Sequence, residues 1–503
     1  MKQPHPLNLL MAASEAVPYA KTGGLADVAG ALPAELAKLG HSVILILPRY
    51  RSLDNSGRTF HMLARVPFHT PLGASEVTIE EDIVSTSGQL PVRVWALRHE
   101  FLFGRSGLYQ EQGRDFEDNL ERFAWFSRAV IEVMAYLHRQ KGWRTDVLHL
   151  HDWQTALCAV YLKTLDSIRP EVQRTKTVLT LHNVGYQGIF PAAKFWHTGL
   201  PQALFTLEGL EFYGSVNLLK GGILFADRLT TVSPTYAEEI LTPEFGFGLE
   251  GVLQARREKV QGIINGIDVG VWNPETDPHL PVRYSADNRT GKLQCKQALQ
   301  EELGLPRKAV PLLAVIARLT SQKGLDLVEA AIPRLMDFDL QLVVLGTGDP
   351  AHESSLAKMR DRFPDRMALR IGFDEGLAHR IEGGADIFLM PSRYEPCGLS
   401  QLYSLRYGTV PIVTKTGGLV DTVAPLGSDG SNSDRATGFH IVVPTADAVV
   451  DAVHKAVRAY GRPALWSNMV RRGMKTDVSW ARSARCYEEL FVSLVEEIGS
   501  EIR

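Results

Sequence analysis

The chain has 503 residues, which is too long for one ordinary hydrophobic core and predicts at least two domains. Hydrophobic residues make up 45% of it and charged residues 22%, as in an ordinary globular protein. The formal net charge is −3 without a block of like charges, so we predict no nucleic-acid partner, since nucleic-acid binders usually carry a basic stripe.

The N-terminal apolar run, Leu7 to Ala13, is followed at once by Glu15. It is too short for a signal peptide or a membrane span, so we predict no membrane partner. The 4 cysteines are scattered and form no CxxC pair, which is typical of a reducing compartment. These features predict a cytoplasmic protein.

Strand-like and helix-like runs alternate through the first half. Leu7–Ala13 has the pattern of a buried strand, Leu25–Leu39 that of a helix, and Ser42–Leu47 that of a second strand. This βαβ order predicts a parallel sheet. Further strands are predicted at Val147–His151, Thr177–His182 and Arg228–Val232.

The alternation pauses in a polar, proline-containing stretch at residues 266–287 and then restarts. We therefore predict an α/β fold with two Rossmann-like domains, 1–265 and 266–479, and a ligand in the cleft between them. Residues 480–503 begin with an amphipathic helical pattern and are predicted to pack back on the first domain. The strands predicted in the second half are Leu312–Ala317, Leu340–Leu345, Met367–Ile371, Asp386–Met390 and Val410–Val413.

Lys21-Thr22-Gly23-Gly24 follows the first strand and opens a helix. Paired glycines let backbone N–H groups approach an anion, and the helix N-terminus adds positive potential. The alternative is a tight turn with a solvated lysine, which is about as common. Asp27 lies in the first helical turn, where the helix dipole favours an acid in any case.

Two loops of the second half carry polar groups at predicted strand ends. The loop from Arg318 to Gly324 includes Lys323 and suits a diphosphate without a metal, although it could be a surface loop with capping hydroxyls. Glu395 begins Glu395-Pro396-Cys397-Gly398 and could accept hydrogen bonds from sugar hydroxyls or simply cap a helix. Cys397 has the pattern of a small buried residue rather than a reactive thiol.

The strand ends at His151-Asp152 and at His182 complete the polar set. A metal site at His149, His151 and Asp152 is disfavoured, because alternate strand residues place the histidines on one face and Asp152 on the other. Sugar recognition suits Asp152 and His182 better, and we interpret His149 and His151 as core histidines with satisfied hydrogen bonds.

At these residues the chain resembles the bacterial and plastid glycogen and starch synthase family. The resemblance implies the GT-B fold, with the acceptor glucan on the first domain and the donor on the second. It implies metal-independent transfer, without a cofactor, from ADP-glucose to the non-reducing end of an α-1,4-glucan such as a glycogen primer. The matching stretches are Lys21–Val28, His151–Trp153, Leu181–Gly188, Ile264–Asp268, Ala317–Gly324, Pro391–Leu402 and Thr416–Thr422.

The resemblance also assigns roles by position. It implies that Lys21, Arg318 and Lys323 hold the donor phosphates, aided by the backbone of Gly418 and Leu419. Glu395, His182 and Asp152 would contact the sugar. The substrate-binding residues that it implies are Lys21, Gly23, Gly24, Asp27, Asn265, Cys397, Gly398, Thr416, Gly418 and Leu419.

The stereochemical course is predicted to be retention by same-face transfer, with His182 and Glu395 positioning the sugar. Double displacement would need an additional carboxylate beneath the anomeric carbon, and no obvious one is present. Some retaining relatives place a second glutamate eight positions after the first, where this chain has Tyr403. Phe373 is a candidate for stacking on the donor base, or else a core aromatic residue at a strand end.

Four other interpretations stay open. Another retaining GT-B glycosyltransferase, or one that uses UDP-glucose, would share this site. A phosphorylase shares the architecture but needs a pyridoxal-phosphate lysine and a longer chain. A sugar-nucleotide epimerase needs no large glucan groove. A non-catalytic glucan-binding scaffold should have lost some of Lys21, Arg318, Lys323 and Glu395, all of which are present.

Overall fold

The computed structural model describes residues 5–71, 73–88, 90–164, 172–427 and 430–501. The chain separates into two compact units, one formed by Met1–Asn265 with Trp480–Arg503 and the other by Gly266–Ser479. Both units combine parallel strands with covering helices, so the predicted α/β class is confirmed. Among the described helices, none combines the length and the apolar character needed to cross a membrane.

The first unit is built on a nine-stranded sheet. The described strands of the whole unit, nine of which form this sheet, are β1 (Asn8–Ala12), β2 (Ser42–Pro48), β3 (His61–Thr70), β4 (Gly73–Val84), β5 (Val92–Arg98), β6 (Gln110–Glu111), β7 (Arg114–Asp115), β8 (Val147–His151), β9 (Lys176–Leu181), β10 (Ile189–Pro191), β11 (Glu211–Phe212), β12 (Ser215–Asn217), β13 (Arg228–Thr231) and β14 (Val260–Gly262). The sheet order is β14-β13-β9-β8-β1-β2-β5-β4-β3, parallel except at β5-β4-β3. The carboxyl ends of β1, β8 and β9 therefore lie side by side.

The helices of this unit cover the sheet through apolar faces. In the first of them Leu25, Val28, Leu32 and Leu36 recur at helical spacing and are all buried. The helices are α1 (Gly24–Lys38), α2 (Glu100–Phe103), α3 (Asn119–Lys141), α4 (Asp152–Thr164), α5 (Leu218–Phe225), α6 (Pro234–Glu239), α7 (Pro243–Gly246) and α8 (Glu250–Gln254).

Strands β3 to β5 are absent from the sequence-based prediction. The alternation of β4 is hidden because it buries two acids, Glu80 and Asp82, where an apolar residue would be expected. Glu80 pairs with Arg49 at 2.7 Å, and Asp82 pairs with Arg58 at 2.7 Å and accepts a bond from Tyr19 at 2.6 Å. Buried charges of this kind are tolerated only when they are paired.

The second unit holds a six-stranded parallel sheet in the order β17-β16-β15-β18-β19-β20. Apolar clusters cover both of its faces, as a parallel sheet requires. Its elements are α9 (Thr290–Glu302), β15 (Leu312–Ile316), α10 (Leu325–Leu335), β16 (Gln341–Gly346), α11 (Pro350–Arg362), β17 (Met367–Ile371), α12 (Glu375–Gly384), β18 (Ile387–Met390), α13 (Ser400–Tyr407), β19 (Val410–Thr414), α14 (Gly417–Thr422), β20 (Phe439–Ile441), α15 (Ala446–Tyr460) and α16 (Pro463–Lys475).

The last helix, α17 (Trp480–Glu501), belongs to the first unit and packs on α1. Glu488 contacts His41 at 3.1 Å, and the Tyr487 ring lies 5.2 Å from the ring of His149. The Ser483 hydroxyl donates to the Ile264 carbonyl at 2.6 Å. These contacts fix the returning chain against the first sheet.

Candidate functional site

The loop from β1 to α1 is organised around Glu15, a buried carboxylate that the sequence-based prediction missed. Glu15 accepts hydrogen bonds from the Thr22 hydroxyl at 2.6 Å, the Gly23 N–H at 3.2 Å, the Thr22 N–H and the Tyr109 hydroxyl at 2.6 Å. The Gly23 N–H, which the sequence predicts to approach a ligand anion, donates in this structure to the chain's own Glu15 carboxylate. The sequence signal was an acid placed directly after a buried strand.

Lys21 remains available at the rim of this loop. Its side chain is half exposed, and its ammonium pairs with Asp27 at 2.7 Å. Asp27 lies in the first turn of α1 and so fixes the direction of the Lys21 side chain. Gly24 begins the same helix.

Asp152 joins the ends of β8 and β9. It is buried, and its Oδ1 accepts the His182 N–H at 2.7 Å. Burial raises its pKa to about 7, and the charge of Glu15 adds to the rise. Its φ of +54° lies in the left-handed region, which aspartate adopts more readily than most residues other than glycine. Asp152 therefore shapes the loop that carries His182.

Replacing Asp152 by Asn should stabilise the first unit increasingly as the pH rises. An unfolded Asp releases its proton near its ordinary pKa of 3.8, whereas the folded one releases it near 7, so the wild type loses stability between these values. Asn carries no charge, can still accept from His182 and tolerates a positive φ. The midpoint temperature of thermal unfolding should be a few degrees higher in Asp152→Asn than in the wild type at pH 8, and the difference should be smaller at pH 5.5. A gain independent of pH would contradict this account.

His182 is paired with a second histidine. Its Nε2 lies 2.9 Å from Nδ1 of His151, and burial lowers the pKa of His182 to about 3. Burial also lowers the pKa of His151, so both rings are neutral near pH 7 and share one proton in this bond. His151 Nε2 is buried without a partner among the described residues, so a proton there would form a buried N–H with no acceptor. The favoured tautomer of His151 therefore carries its proton on Nδ1, which donates to His182 Nε2. His182 then carries its own proton on Nδ1.

The interpretation of His149 and His151 as satisfied core histidines is wrong in part. Both are buried, and His149 Nε2 bonds the Thr180 hydroxyl at 2.7 Å. In the part of the chain that the structure describes, however, one ring nitrogen of each has no partner. His151 also supports His182 directly, which periodicity could not reveal. Asn265, the last residue before the second unit, is buried as well, and its Oδ1 has no described partner.

In the second unit, the carboxyl ends of β15 and β18 bring Lys323 and Glu395 together. The two side chains form an ion pair of 2.5 Å, and the Ser392 hydroxyl donates to the same Glu395 oxygen at 3.1 Å. Arg318, Lys323 and Ser392 line a cavity of about 310 Å³ whose floor includes Leu345, Leu389 and Met390. Two cations and a shielded carboxylate thus meet beside an apolar floor.

The loop after β19 packs backbone to backbone on the Glu395 loop. A Cβ at Gly417, whose φ is +45°, would lie 2.0 Å from the Glu395 carbonyl oxygen, so glycine is required. The Gly418 N–H donates to the Pro396 carbonyl at 3.0 Å, and the Leu419 N–H to that of Thr416 at 3.1 Å. These two N–H groups, expected to contact phosphate, already have partners within the chain, so the structure gives them a packing role.

Three other predicted residues lie in or beside this backbone contact. Cys397 is buried and its carbonyl accepts a bond from Gln401 at 3.0 Å, which agrees with a packing residue. Gly398 has a φ of +72° and so makes the turn into α13. Thr416 is buried directly before α14.

Arg393 joins the loop that carries Lys323 to the loop that carries Glu395. Its guanidinium forms a fork with Asp326 at 2.6 and 2.7 Å and donates to the Ser321 carbonyl at 2.9 Å. Its backbone N–H donates to the Gln322 carbonyl at 2.9 Å. The loops touch at Gly324, where a Cβ would lie 2.2 Å from the Pro391 carbonyl oxygen. Arg393 therefore helps to set the distance between Lys323 and Glu395.

Replacing Arg393 by Ala should lower kcat/KM about tenfold, because small displacements of positioned groups are costly in catalysis. Arg393→Lys should recover only part of the loss, since an ammonium cannot form the fork. Arg334→Ala, which breaks the exposed Arg334–Asp447 pair elsewhere in this unit, is the matched control. Equal effects of Arg393→Ala and Arg334→Ala on kcat/KM would contradict a positioning role.

The described residues hold no group of three His, Cys, Asp or Glu side chains placed to bind a metal ion. Comparison with known proteins gives a consistent family. Residues 8–255 match the family described as Starch synthase catalytic domain, and residues 298–472 match Glycosyl transferases group 1.

Full-length relatives agree. The chain is 46% identical to the glycogen synthase of Anaeromyxobacter dehalogenans (strain 2CP-C), over 97% of this chain and 100% of the relative. It is 45% identical to that of Myxococcus xanthus (strain DK1622), over 98% and 100%. The catalytic domain of Starch Synthase IV from Arabidopsis thaliana, solved with ADP and acarbose, superposes with a TM-score of 0.86 at 34% identity, over 98% of this chain and 100% of that one.

Proposed function

The chain belongs to the glycogen synthase family of glycosyltransferases, and from that premise we propose that it transfers glucose from ADP-glucose to the non-reducing end of an α-1,4-glucan. The observation that carries the proposal is the cluster of Arg318, Lys323 and Glu395 at the carboxyl ends of parallel strands, where ligands of such sheets bind. ADP in the similar Starch Synthase IV structure supports an adenine nucleotide.

The cavity beside this cluster supports a nucleotide diphosphate. Its apolar floor suits a base, and the Arg318 and Lys323 side chains supply a fork and a point charge for the diphosphate. Negative charge develops on the diphosphate as its bond to the anomeric carbon of glucose breaks, and preorganised cations stabilise that charge. In this unit Glu395 is assigned to the sugar hydroxyls, and in the first unit Lys21 and His182 are the side chains assigned to the substrate.

The surroundings of the carboxylates favour same-face transfer over double displacement. Asp152, whose carboxylate accepts the His182 N–H, and Glu15, whose charge acts on Asp152, are buried and already accept backbone N–H bonds. The position eight residues after Glu395 is Tyr403, whose ring stacks on Trp272 with centroids 3.8 Å apart. A glucosyl group trapped on any of these carboxylates would overturn same-face transfer.

Replacing Phe373 by Ala should raise KM for the donor about tenfold with little change in kcat, because base–aromatic stacking is an affinity term. The side chain lines the donor cavity and is 87% exposed, so the interpretation as a core aromatic is wrong. Phe373→Tyr keeps the ring and should keep KM near the wild-type value. An unchanged KM in Phe373→Ala would remove Phe373 from the donor site.

The donor itself is tested by comparing kcat/KM for ADP-glucose and UDP-glucose on glycogen. A preference for ADP-glucose supports the proposal. A preference for UDP-glucose keeps the reaction and overturns the donor assignment.

A further inference from the structure

A group of basic side chains in the first unit has no role in the site described above. We call it the basic cluster, and it consists of Lys163, Arg228, Arg256 and Lys259. Arg228 begins β13, and Lys259 directly precedes the paired parallel strand β14. His182 follows the carboxyl end of β9, the other neighbour of β13. The six residues of β9 span about 16 Å, so the basic cluster and His182 lie at opposite ends of these strands.

Three of the four cations are held around Asp227 and the residue before it. The Lys163 ammonium pairs with the Asp227 carboxylate at 2.9 Å. Arg228 donates through Nη1 to the Asp227 carbonyl at 3.1 Å. Arg256 donates through Nη2 to the carbonyl of Ala226. These side chains therefore converge on one short segment of backbone.

Lys259 joins them through the sheet. The parallel pairing of β13 with β14 places Leu229 opposite Val260, so the preceding residues, Arg228 and Lys259, are also neighbours. Burial, and then the charges of Arg256 and Arg228, lower the pKa of Lys259. The charge of Lys259 is therefore disfavoured in the folded chain by its surroundings.

Two carboxylates are paired with the basic cluster and do not balance it. Asp227 pairs with Lys163, and Glu497 pairs with Arg228. Across the described residues, the other two cations form no ion pair. The four cations and two carboxylates leave a net charge of +2. Side chains of one sign that converge in this way concentrate ions of the opposite sign.

The arrangement suits one phosphate group. Arg256 is anchored through Nη2, while its Nε is buried without a described partner, so the guanidinium is only partly satisfied by the fold. A phosphate monoester carries a charge of about −2 near neutral pH and three acceptor oxygens, which match the net charge and the donors of this cluster. A nucleic acid needs a wider basic stripe than four side chains around one segment.

We propose that the basic cluster binds a small anion that carries a phosphate group, such as a phosphate monoester. The inference goes beyond the proposed function and does not rest on it, because it uses none of the residues assigned to the donor or the glucan. A ligand at the amino ends of the strands does not reach His182, so it takes no part in the transfer. It stabilises the first unit by neutralising the repelled charges.

The test is titration calorimetry with inorganic phosphate at pH 7.5 and constant ionic strength. In Lys259→Met the Kd for phosphate should rise at least about fivefold, the size expected when one charge-assisted hydrogen bond is lost. Arg257→Ala is the matched control, because it removes the adjacent exposed cation, which pairs with Glu238, and it should keep the wild-type Kd. Without phosphate, Lys259→Met should unfold at the same temperature as the wild type or a higher one, since it removes a repelled charge.

An absence of phosphate binding by the wild type, or an unchanged Kd in Lys259→Met, would overturn the proposal. So would an equal rise of the Kd in Arg257→Ala. Loss of binding in Lys323→Met, with binding retained in Lys259→Met, would place the anion in the cavity of the second unit instead. A lower unfolding temperature of Lys259→Met without phosphate would give Lys259 a structural role and contradict the proposal. None of these measurements requires turnover, so their outcome is separate from that of the proposed function.

Discussion

Glu395→Gln should lower kcat at least about 100-fold, the size expected when one preorganised polar group of an active site is lost. Glu395 accepts from both Lys323 and Ser392, so glutamine leaves the partly buried Lys323 ammonium without its counter-charge and weakens the acceptor offered to the sugar. Initial rates at saturating donor and acceptor measure the loss, and circular dichroism checks the fold.

Two companion variants separate charge from geometry. Glu395→Asp keeps the charge but shortens the side chain, so it should retain more activity than glutamine does. Lys323→Met should raise KM for the donor as well as lower kcat, because we assign the ammonium to the diphosphate. If Glu395→Gln retained a third or more of wild-type kcat, Glu395 would not belong to the catalytic group.

His182→Ala should also lower kcat at least about 100-fold, because we assign its Nδ1–H to a sugar hydroxyl in the transition state. The ring is neutral, with a pKa lowered to about 3 by burial, so its titration should leave no inflection in the rate between pH 6 and 9. His151→Gln should lose less, because His151 acts through the bond to His182. An inflection near pH 6.5 that disappears in His182→Ala would contradict a neutral histidine.

The alternation of strands and helices was enough to predict most of the fold. β8 was predicted with the observed ends, and Leu7–Ala13 differs from β1 by one residue at each end. β4 was not predictable in this way, because Glu80 and Asp82 occupy buried positions. Their pairing with arginines distant in the sequence makes those positions possible, and periodicity carries no such information.

The candidate site was predicted in its residue types rather than in its contacts. Strand ends and loop chemistry pointed to Lys21, Asp152, His182, Arg318, Lys323 and Glu395. Glu15 was missed because an acid after a strand has many uses, and only the folded loop shows Thr22 and Gly23 donating to it. The resemblance assigns the amides of Gly418 and Leu419 to phosphate. Their hydrogen-bond partners within the chain cannot be predicted from sequence, because they depend on how two loops pack.

The central claim is that this chain transfers glucose from ADP-glucose to a glucan through the site at Glu395. It is tested most directly by incorporation of labelled glucose from ADP-glucose into glycogen with EDTA present, for the wild type and Glu395→Ala side by side. We predict incorporation by the wild type that EDTA does not abolish and that collapses in the variant. Glycogen binding without incorporation by the wild type would contradict the claim and indicate a non-catalytic glucan-binding scaffold.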